Sequence, residues 1–520
     1  MSRSLDILVQ EMRVITQLRK VAAVLSWDQE TYMPPNSAKA RADQLALILS
    51  LAHSRFTGAD FRNSLAQLVD LDTGQVDADS LTAEQVRMVE MTWRDWHRAK
   101  ALPVEFIGKL ARLTSEAQGV WQLAREKNRF DLFAPYLERI FEMKRQEADH
   151  LGFSGEPYDA LLDNYEPDVT TAQIIALFDR LRPVLVDIVS RIGSDSGNGR
   201  ETLLKQTFDE DSQWEFGLQV LRDMGYDMSR GRQDRSAHPF TTDFHPSDVR
   251  ITTRLSENEL PMGLFSSIHE GGHALYEQGL NEAHFGTPLC EPISLGIHES
   301  QSRLWENYVG RSRAFWIWYF PQLQERFPDQ LSGASLDEFY AAINVVSPSL
   351  IRVEADEVTY NLHIMVRFDL ERAVLNGELE VSGLPAAWSE KMQAYLGIRP
   401  QRDSEGLLQD IHWSLGALGY FPTYTLGNLY GRQIYVAANS QIHDLDGRIA
   451  KGDLKTLREW LRENIHIIGR SRTAEELLVS LSGEPLSAEP FIAYLEEKFS
   501  QLYPQLKRSQ PTMNGKNNGH

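Results

Sequence analysis

Apolar residues return every three or four positions through most of this chain, and that spacing restricts it largely to amphipathic helices. Near the N-terminus Leu5, Leu8, Met12, Ile15, Leu18, Val21 and Leu25 follow the pattern, so they line one helix face. Capping signals punctuate it: Thr82 stands three residues before Gln85, and Thr473 stands likewise before Glu476. Each pair can satisfy two backbone N–H groups at a helix start. The stretch TAQIIALFDRLRPVLVDIVSRI also opens at a Thr and stays amphipathic past Pro183, where a kink is expected. Strand signals concentrate in one place, residues 236–256, with alternation from Val249 to Thr253. No internal repeat or low-complexity linker divides the chain. The expectation is one large, mainly α unit over residues 1–505, with a polar tail, 506–520, that is disordered.

With 42% hydrophobic and 24% charged residues over 520 positions, the chain is an ordinary soluble globular protein. Its 53 basic and 73 acidic residues give a net charge of −20. That charge repels phosphate backbones and anionic lipid surfaces, so neither nucleic acid nor a membrane is an expected partner. No apolar run is long enough to span a bilayer. Asp6 and Glu11 interrupt the region where a signal peptide needs continuous apolar sequence. The single cysteine, Cys290, excludes an intramolecular disulfide and fits a reducing compartment. A cytoplasmic location is expected, with Cys290 as a buried filler.

The segment GLFSSIHEGGHALYEQG, residues 263–279, carries the chemistry. At about 100° per residue, His269 and His273 share a helix face one turn apart and can reach one metal ion. Glu270 projects beside them, where it can act as general base to an attacking water. The His content of the chain makes such a pattern a chance event in roughly one of twenty comparable sequences. Gly271 and Gly272 are unusual in a helix interior, where each costs about 1 kcal/mol relative to Ala. Their presence predicts that something packs closely against the helix backbone there.

A catalytic zinc site has three protein ligands and one open position. His284, Glu291, His298 and Glu299 are the downstream candidates. His284 and Glu291 fall in a Gly- and Pro-containing loop, whereas HESQSRLWENYVG resumes helical periodicity. A carboxylate on a second helix is rigidly placed and supplies the charge that two imidazoles lack, which favours Glu299. The adjacent His298 is the competitor.

Further motifs follow in order: SWDQETYMPP at 26–35, HPF at 238–240, DVRIT at 248–252, HEGGH, HESQSR, IRVEAD at 351–356 and GLLQDIHWSLGALGYFPTY at 406–424. Together they resemble the carboxypeptidase Taq family of metallocarboxypeptidases across nearly the whole chain. The resemblance implies a two-lobed helical fold with a deep groove, like angiotensin-converting enzyme and neurolysin. It implies release of single residues from peptide C-termini, with Zn2+ or sometimes Co2+ bound by His269, His273 and Glu299 and with Glu270 as base. It also implies a homodimer.

Roles for other residues follow from that likeness. Arg352, in the IRVEAD motif, is the candidate for the substrate's terminal carboxylate, because a guanidinium fork matches a carboxylate; Glu354 or Asp356 would be its structural partner otherwise. His412 and Tyr424 are assigned to the scissile carbonyl, with Tyr420 in reserve. His238 and Arg250, the latter beside Asp248, are candidates for peptide binding or for closing the far end of the groove; a structural turn is the alternative. Asp28 to Glu30 are read as a helix cap. Glu306 and Asp356 are candidates to accept the second N–H of a ligating His. Two alternatives remain: an oligopeptidase or dipeptidyl carboxypeptidase on the same fold, and a non-catalytic peptide-binding protein.

Overall fold

The computed structural model describes residues 3–193 and 199–507. Helices α1 (Arg3–Thr31), α2 (Ala38–Phe56), α3 (Ala59–Leu65) and α4 (Ala83–Ala101) come first. They are followed by α5 (Val104–Lys127), α6 (Phe130–Leu151), α7 (Pro157–Leu162), α8 (Thr171–Ile192) and α9 (Glu210–Met224). A small sheet comes next: β1 (Gly231–Arg235), β2 (Thr241–His245) and β3 (Asp248–Thr253). Then come α10 (Leu260–Gly279), α11 (Leu295–Arg303), a π-helical turn at Leu304–Gly310, α12 (Arg313–Arg326), α13 (Pro328–Leu331) and α14 (Leu336–Ile343). Helices α15 (Thr359–Leu375), α16 (Leu384–Leu396), α17 (Pro422–Gln441) and α18 (Leu445–Ile449) continue the order. It ends with α19 (Lys455–Asn464), α20 (Ala474–Ser482) and α21 (Glu489–Leu502). The fold is mainly α, as the periodicity predicts.

Thr82 and Thr473 each close a capping box where the sequence placed it, with the residue three positions on; α8 is capped by Thr170, one residue before the Thr171 that opens the stretch read from the sequence. The α8 helix continues through Pro183. The strand region is larger than its alternation suggests, because β1, GRQDR, lies upstream of 236 and is too polar to read as a strand. It pairs parallel with β3, while β2 pairs antiparallel on the other side. Of the expected tail, residues 508–520 lie outside the described residues, and Leu506 is buried against the main core.

Apolar packing separates into two cores. Leu5, Leu8, Met12, Ile15, Phe56, Phe61, Met88, Val89 and Trp96 from α1 to α4 form one, joined by Leu289 from the far side. The remaining helices share the other. Across the boundary the contacts are largely polar: Lys20 pairs with Asp243, the Tyr32 hydroxyl donates to Asp234, and Arg470 Nη1 pairs with Asp95 at 2.8 Å. Arg94 and Arg98 converge on Asp163.

In the main core α11 lies between α10 and α17, and glycines set how close the three come. A Cβ on Gly272 would stand 2.6 Å from the Gln301 carbonyl oxygen and 2.7 Å from Ser302 Cα. One on Gly427 of α17 would stand 2.4 Å from Glu299 Cγ, and one on Gly431 2.9 Å from the Ser300 carbonyl oxygen. Gly271 faces α9 instead, with Leu221 Cδ2 2.5 Å from where its Cβ would be. The paired glycines thus admit two different neighbours, and the close backbone approach expected from the sequence is made by α11. Helix propensity alone predicts that Gly272→Ala stabilises the protein by about 1 kcal/mol. Contact with backbone atoms that have no rotamer to move reverses that sign. Thermal unfolding should therefore show a lower Tm for Gly272→Ala; an equal or higher Tm would mean that α10 and α11 separate freely there.

Candidate active site

Three donor atoms, one each from His269, His273 and Glu299, lie within 4.8 Å of one another. The two histidines come from successive turns of α10 and the carboxylate from the middle of α11. Glu299 Oε2 is 3.2 Å from His273 Nε2 and 3.6 Å from His269 Nε2. The imidazole side chains are 19% and 14% exposed, whereas the Glu299 side chain is 9% exposed.

The supporting shell fixes which atoms face inward. His269 Nδ1–H donates to Glu306 Oε2 at 2.9 Å, which leaves Nε2 with its lone pair free for an ion. Of the two candidates for this support, Glu306 makes the contact from the π-helical turn. Asp356 does not: its oxygens accept the N–H groups of Ser347, Val358 and Thr359 at the start of α15. Burial lowers the pKa of His273 to about 3, so the ring is neutral, as a ligand must be. Burial pushes Glu299 up, but Arg303 and the two histidines outweigh it and hold the carboxyl well below its ordinary range. Two imidazole nitrogens and one ionised carboxylate are a donor set suited to a divalent ion such as zinc; burial lowers the His269 pKa but Glu299 and Glu306 raise it overall, so an ion binding there must displace a proton from that ring.

The other ligand candidates are engaged elsewhere. His298 Nε2 bonds Glu277 Oε1 at 2.8 Å while its ring stacks on His273 at 4.4 Å. His284 pairs with Glu84 and Glu291 with Arg470. Cys290 is buried, and that burial pushes its thiol up to about 12, consistent with an inert filler.

Glu270 accepts the Thr241 hydroxyl on Oε2 at 2.7 Å, and β2 positions that threonine against α10. Burial raises the Glu270 pKa above the ordinary carboxylate value. Such a shift brings a carboxylate nearer to the pKa useful in a general base at neutral pH.

His412, Tyr420 and Tyr424 do come together. His412 Nε2 is 3.3 Å from the Tyr424 hydroxyl, and the Tyr420 and Tyr424 rings meet edge-on at 5.2 Å. Tyr424 lies one turn before Gly427, the residue against Glu299, which places this cluster beside the metal ligands. Burial lowers His412 to about 4 and lifts Tyr424 well above the usual phenol range, so both are neutral.

Arg352 is buried and its fork is already occupied. Nε and Nη2 bond Asp410 Oδ1 at 3.1 and 2.8 Å, and Nη1 donates to the Tyr360 hydroxyl at 2.9 Å. The partner is thus Asp410, not Glu354 or Asp356. Arg367 bonds the same carboxylate at 2.7 Å. Burial opposes ionisation of Asp410, but Arg367 and Arg352 hold its pKa far below the ordinary value. Two guanidiniums against one carboxylate leave one positive charge in excess, 5.0 Å from the Tyr424 ring.

His238 and Arg250 are not drawn into this cluster by the contacts they make. His238 is exposed in the β1–β2 loop, where its carbonyl accepts the Ser236 hydroxyl. Arg250 pairs with Asp248 and lies 4.4 Å from the Trp27 ring and 4.9 Å from Phe244, tying the sheet to α1. Asp28 pairs with Arg41, a structural contact between α1 and α2.

Thr241, Arg303, Tyr360, Arg367 and Asp410 were not singled out from the sequence. Arg303 could have been, because it stands four residues after Glu299 on a helix. Asp410 lies inside a quoted motif. Thr241 and Arg367 meet their partners only through the fold.

A His-Glu-x-x-His helix completed by a glutamate from a second helix, in a mainly α frame, defines a metallopeptidase of the type with two histidines and one glutamate. The family model for "Carboxypeptidase Taq (M32) metallopeptidase" matches residues 7–499. Thermostable carboxypeptidase 1 of Thermus thermophilus is 41% identical over 507 residues, covering 95% of this chain and 98% of that protein. Carboxypeptidase 1 of Bacillus subtilis is 36% identical over 492 residues, covering 95% and 97%. The crystal structure of the M32 carboxypeptidase from Deinococcus radiodurans is 39% identical, with a TM-score of 0.91 over 96% of this chain and 99% of that one. The chain belongs to the carboxypeptidase Taq (M32) metallopeptidase family. It is accordingly a metallocarboxypeptidase, an enzyme that hydrolyses peptide bonds.

The ligand helix also carries a pH-sensitive contact at its start. Glu166 is fully buried and accepts the Gly296 N–H in the first turn of α11. Burial raises its pKa to about 8, above an ordinary value of 4.5. Between those values the folded protein holds a proton that the unfolded chain releases. Stability therefore falls as pH rises from 4.5 to about 8, with a slope of up to about 1.4 kcal/mol per unit. Glu166→Gln removes this contribution, so its Tm should decline less than wild type across that window; parallel profiles would show that the carboxyl does not titrate there.

Proposed function

We propose that His269, His273 and Glu299 hold one Zn2+, with Co2+ as a competent substitute, and that the enzyme releases single amino acids from the free C-termini of peptides. The convergence of the three donor atoms beside Glu270 carries this reading. A divalent ion held there would polarise the scissile carbonyl and acidify the attacking water.

Glu270, steadied by the Thr241 hydroxyl, takes the proton from the attacking water and passes it to the leaving amine. Tyr424, with a protonated hydroxyl, and neutral His412 donate hydrogen bonds to the developing oxyanion. Tyr420 packs on both and keeps their rings in place. Arg352 attracts the substrate's terminal carboxylate through the excess charge of its cluster with Arg367 and Asp410, since its fork is shared with Asp410. His238 and Arg250 act at the sheet side: Arg250 by joining sheet to α1, His238 as an exposed contact for the peptide.

Peptides with a free C-terminus are the proposed partners. A cytoplasmic location is proposed from the single cysteine; no described helix is long and apolar enough to cross a membrane. A homodimer is proposed from the family likeness. Ile7, Val14 and Val21, exposed at 45%, 38% and 47%, give α1 an apolar stripe that such an assembly could cover.

Mass-spectrometric mapping of products from one peptide in free and C-terminally amidated forms tests the cleavage mode. A ladder of single-residue losses from the free form, with little turnover of the amide, is expected. Release of dipeptides, or rapid cleavage of the amide, would favour a dipeptidyl carboxypeptidase or an oligopeptidase instead. Glu270→Gln should lower kcat by at least about 100-fold while metal content by elemental analysis stays near one per chain; substantial turnover in that variant would remove Glu270 as base.

A further inference from the structure

We infer that Arg303 is a positioning residue that confines Glu299 to a single oxygen toward the metal. The inference rests on His269, His273 and Glu299 being the ligands. Arg303 follows Glu299 by four residues, so the two side chains leave one face of α11. Its Nε donates to Glu299 Oε1 at 2.7 Å, and its Nη1 to Glu306 Oε2 at 3.2 Å. That same Glu306 oxygen accepts the Nδ1–H of His269, and Arg311 Nη2 reaches Glu306 Oε1 at 3.5 Å. One planar guanidinium therefore holds both a ligand carboxylate and the carboxylate that orients a ligand imidazole.

The two oxygens of Glu299 are consequently unlike. Oε2 lies against both imidazole Nε2 atoms and takes the Ser302 hydroxyl at 2.9 Å. Oε1 is committed to Arg303, whose side chain is only 13% exposed and whose guanidinium lies 4.5 Å from the Tyr360 ring centroid. A carboxylate free to rotate can chelate an ion through both oxygens and fill the position that water or substrate needs. A catalytic site works only while that position stays open. Packed between Glu306 and Tyr360, Arg303 has little freedom to release Oε1.

Cobalt(II) is a suitable probe, because its visible absorption is strong in four-coordinate sites and weakens as ligands are added. Wild type loaded with one equivalent of Co2+ should show the strong band. R303M should show a weak one, with kcat lowered about 10- to 100-fold and KM little changed. R303K, which restores a cationic donor for Oε1, should recover the band. If circular dichroism shows that R303M does not fold, R303Q serves as the neutral variant. A wild-type band in the folded, cobalt-loaded neutral variant, or a band in R303K as weak as in that variant, overturns the inference. Failure of the ligand assignment would look different: cobalt would bind equally well to His273→Ala, and both readings would fall together.

Discussion

The site depends on how closely the backbone of α11 can approach two other helices. Helices usually pack with axes 8–10 Å apart, kept there by side chains. Here Gly272 on one side and Gly427 and Gly431 on the other remove those side chains at the points of contact. The approach places the Glu299 carboxylate 3.2 Å and 3.6 Å from two imidazoles carried by a different helix. It also brings Tyr424, one turn from Gly427, to the same locality. The serines of α11 fit the same constraint: Ser300 and Ser302 are fully buried, small, and able to satisfy their hydroxyls within their own helix.

Bringing charged groups together in that space requires compensation, since a buried unpaired carboxylate is far less stable than a solvated one. Around the ligands this comes from interleaved charges: Glu299, Arg303, Glu306 and Arg311 alternate in sign along one short stretch of chain. The π-helical turn that begins at Leu304 carries Glu306, and single π turns inside helices often occur at functional sites. A second set, Arg352, Arg367 and Asp410, uses the same device but is left with one positive charge. Tyr360 joins the two sets, its ring beside Arg303 and its hydroxyl on Arg352. Peptide-bond hydrolysis develops negative charge at the carbonyl oxygen, and in the proposed mechanism these groups would meet that charge with fixed dipoles and positive charge.

The helices were readable because their signals are local. Apolar spacing in α1, and capping boxes at Thr82 and Thr473, report interactions among residues a few positions apart, so sequence order is enough to see them. The same holds for His269 and His273, whose common face, with Glu270 beside it, follows from helix geometry alone. Strand β1 was hidden because GRQDR has no apolar alternation; its pairing with β3 supplies what the local sequence lacks. Arg352 was readable through its motif as an arginine to examine, yet the Asp410 that it bonds stands 58 residues away, and nearer acids in the chain gave the wrong structural partner.

By itself the sequence determined the helical class, the shared face of His269 and His273 with Glu270 beside them, and the need for a close neighbour at Gly272, since each depends on contacts within one or two turns. The family likeness extended that to the reaction and pointed to Glu299 as the candidate third ligand. Only the tertiary structure decided that α11 is that neighbour, that Glu306 rather than Asp356 bonds His269, and that Thr241, Asp410 and Arg303 hold Glu270, Arg352 and Glu299. The first two of those three meet their partners from distant parts of the chain, and Arg303 takes its place between two acidic groups. Such choices are made by the packing of whole helices, which no short window of residues contains.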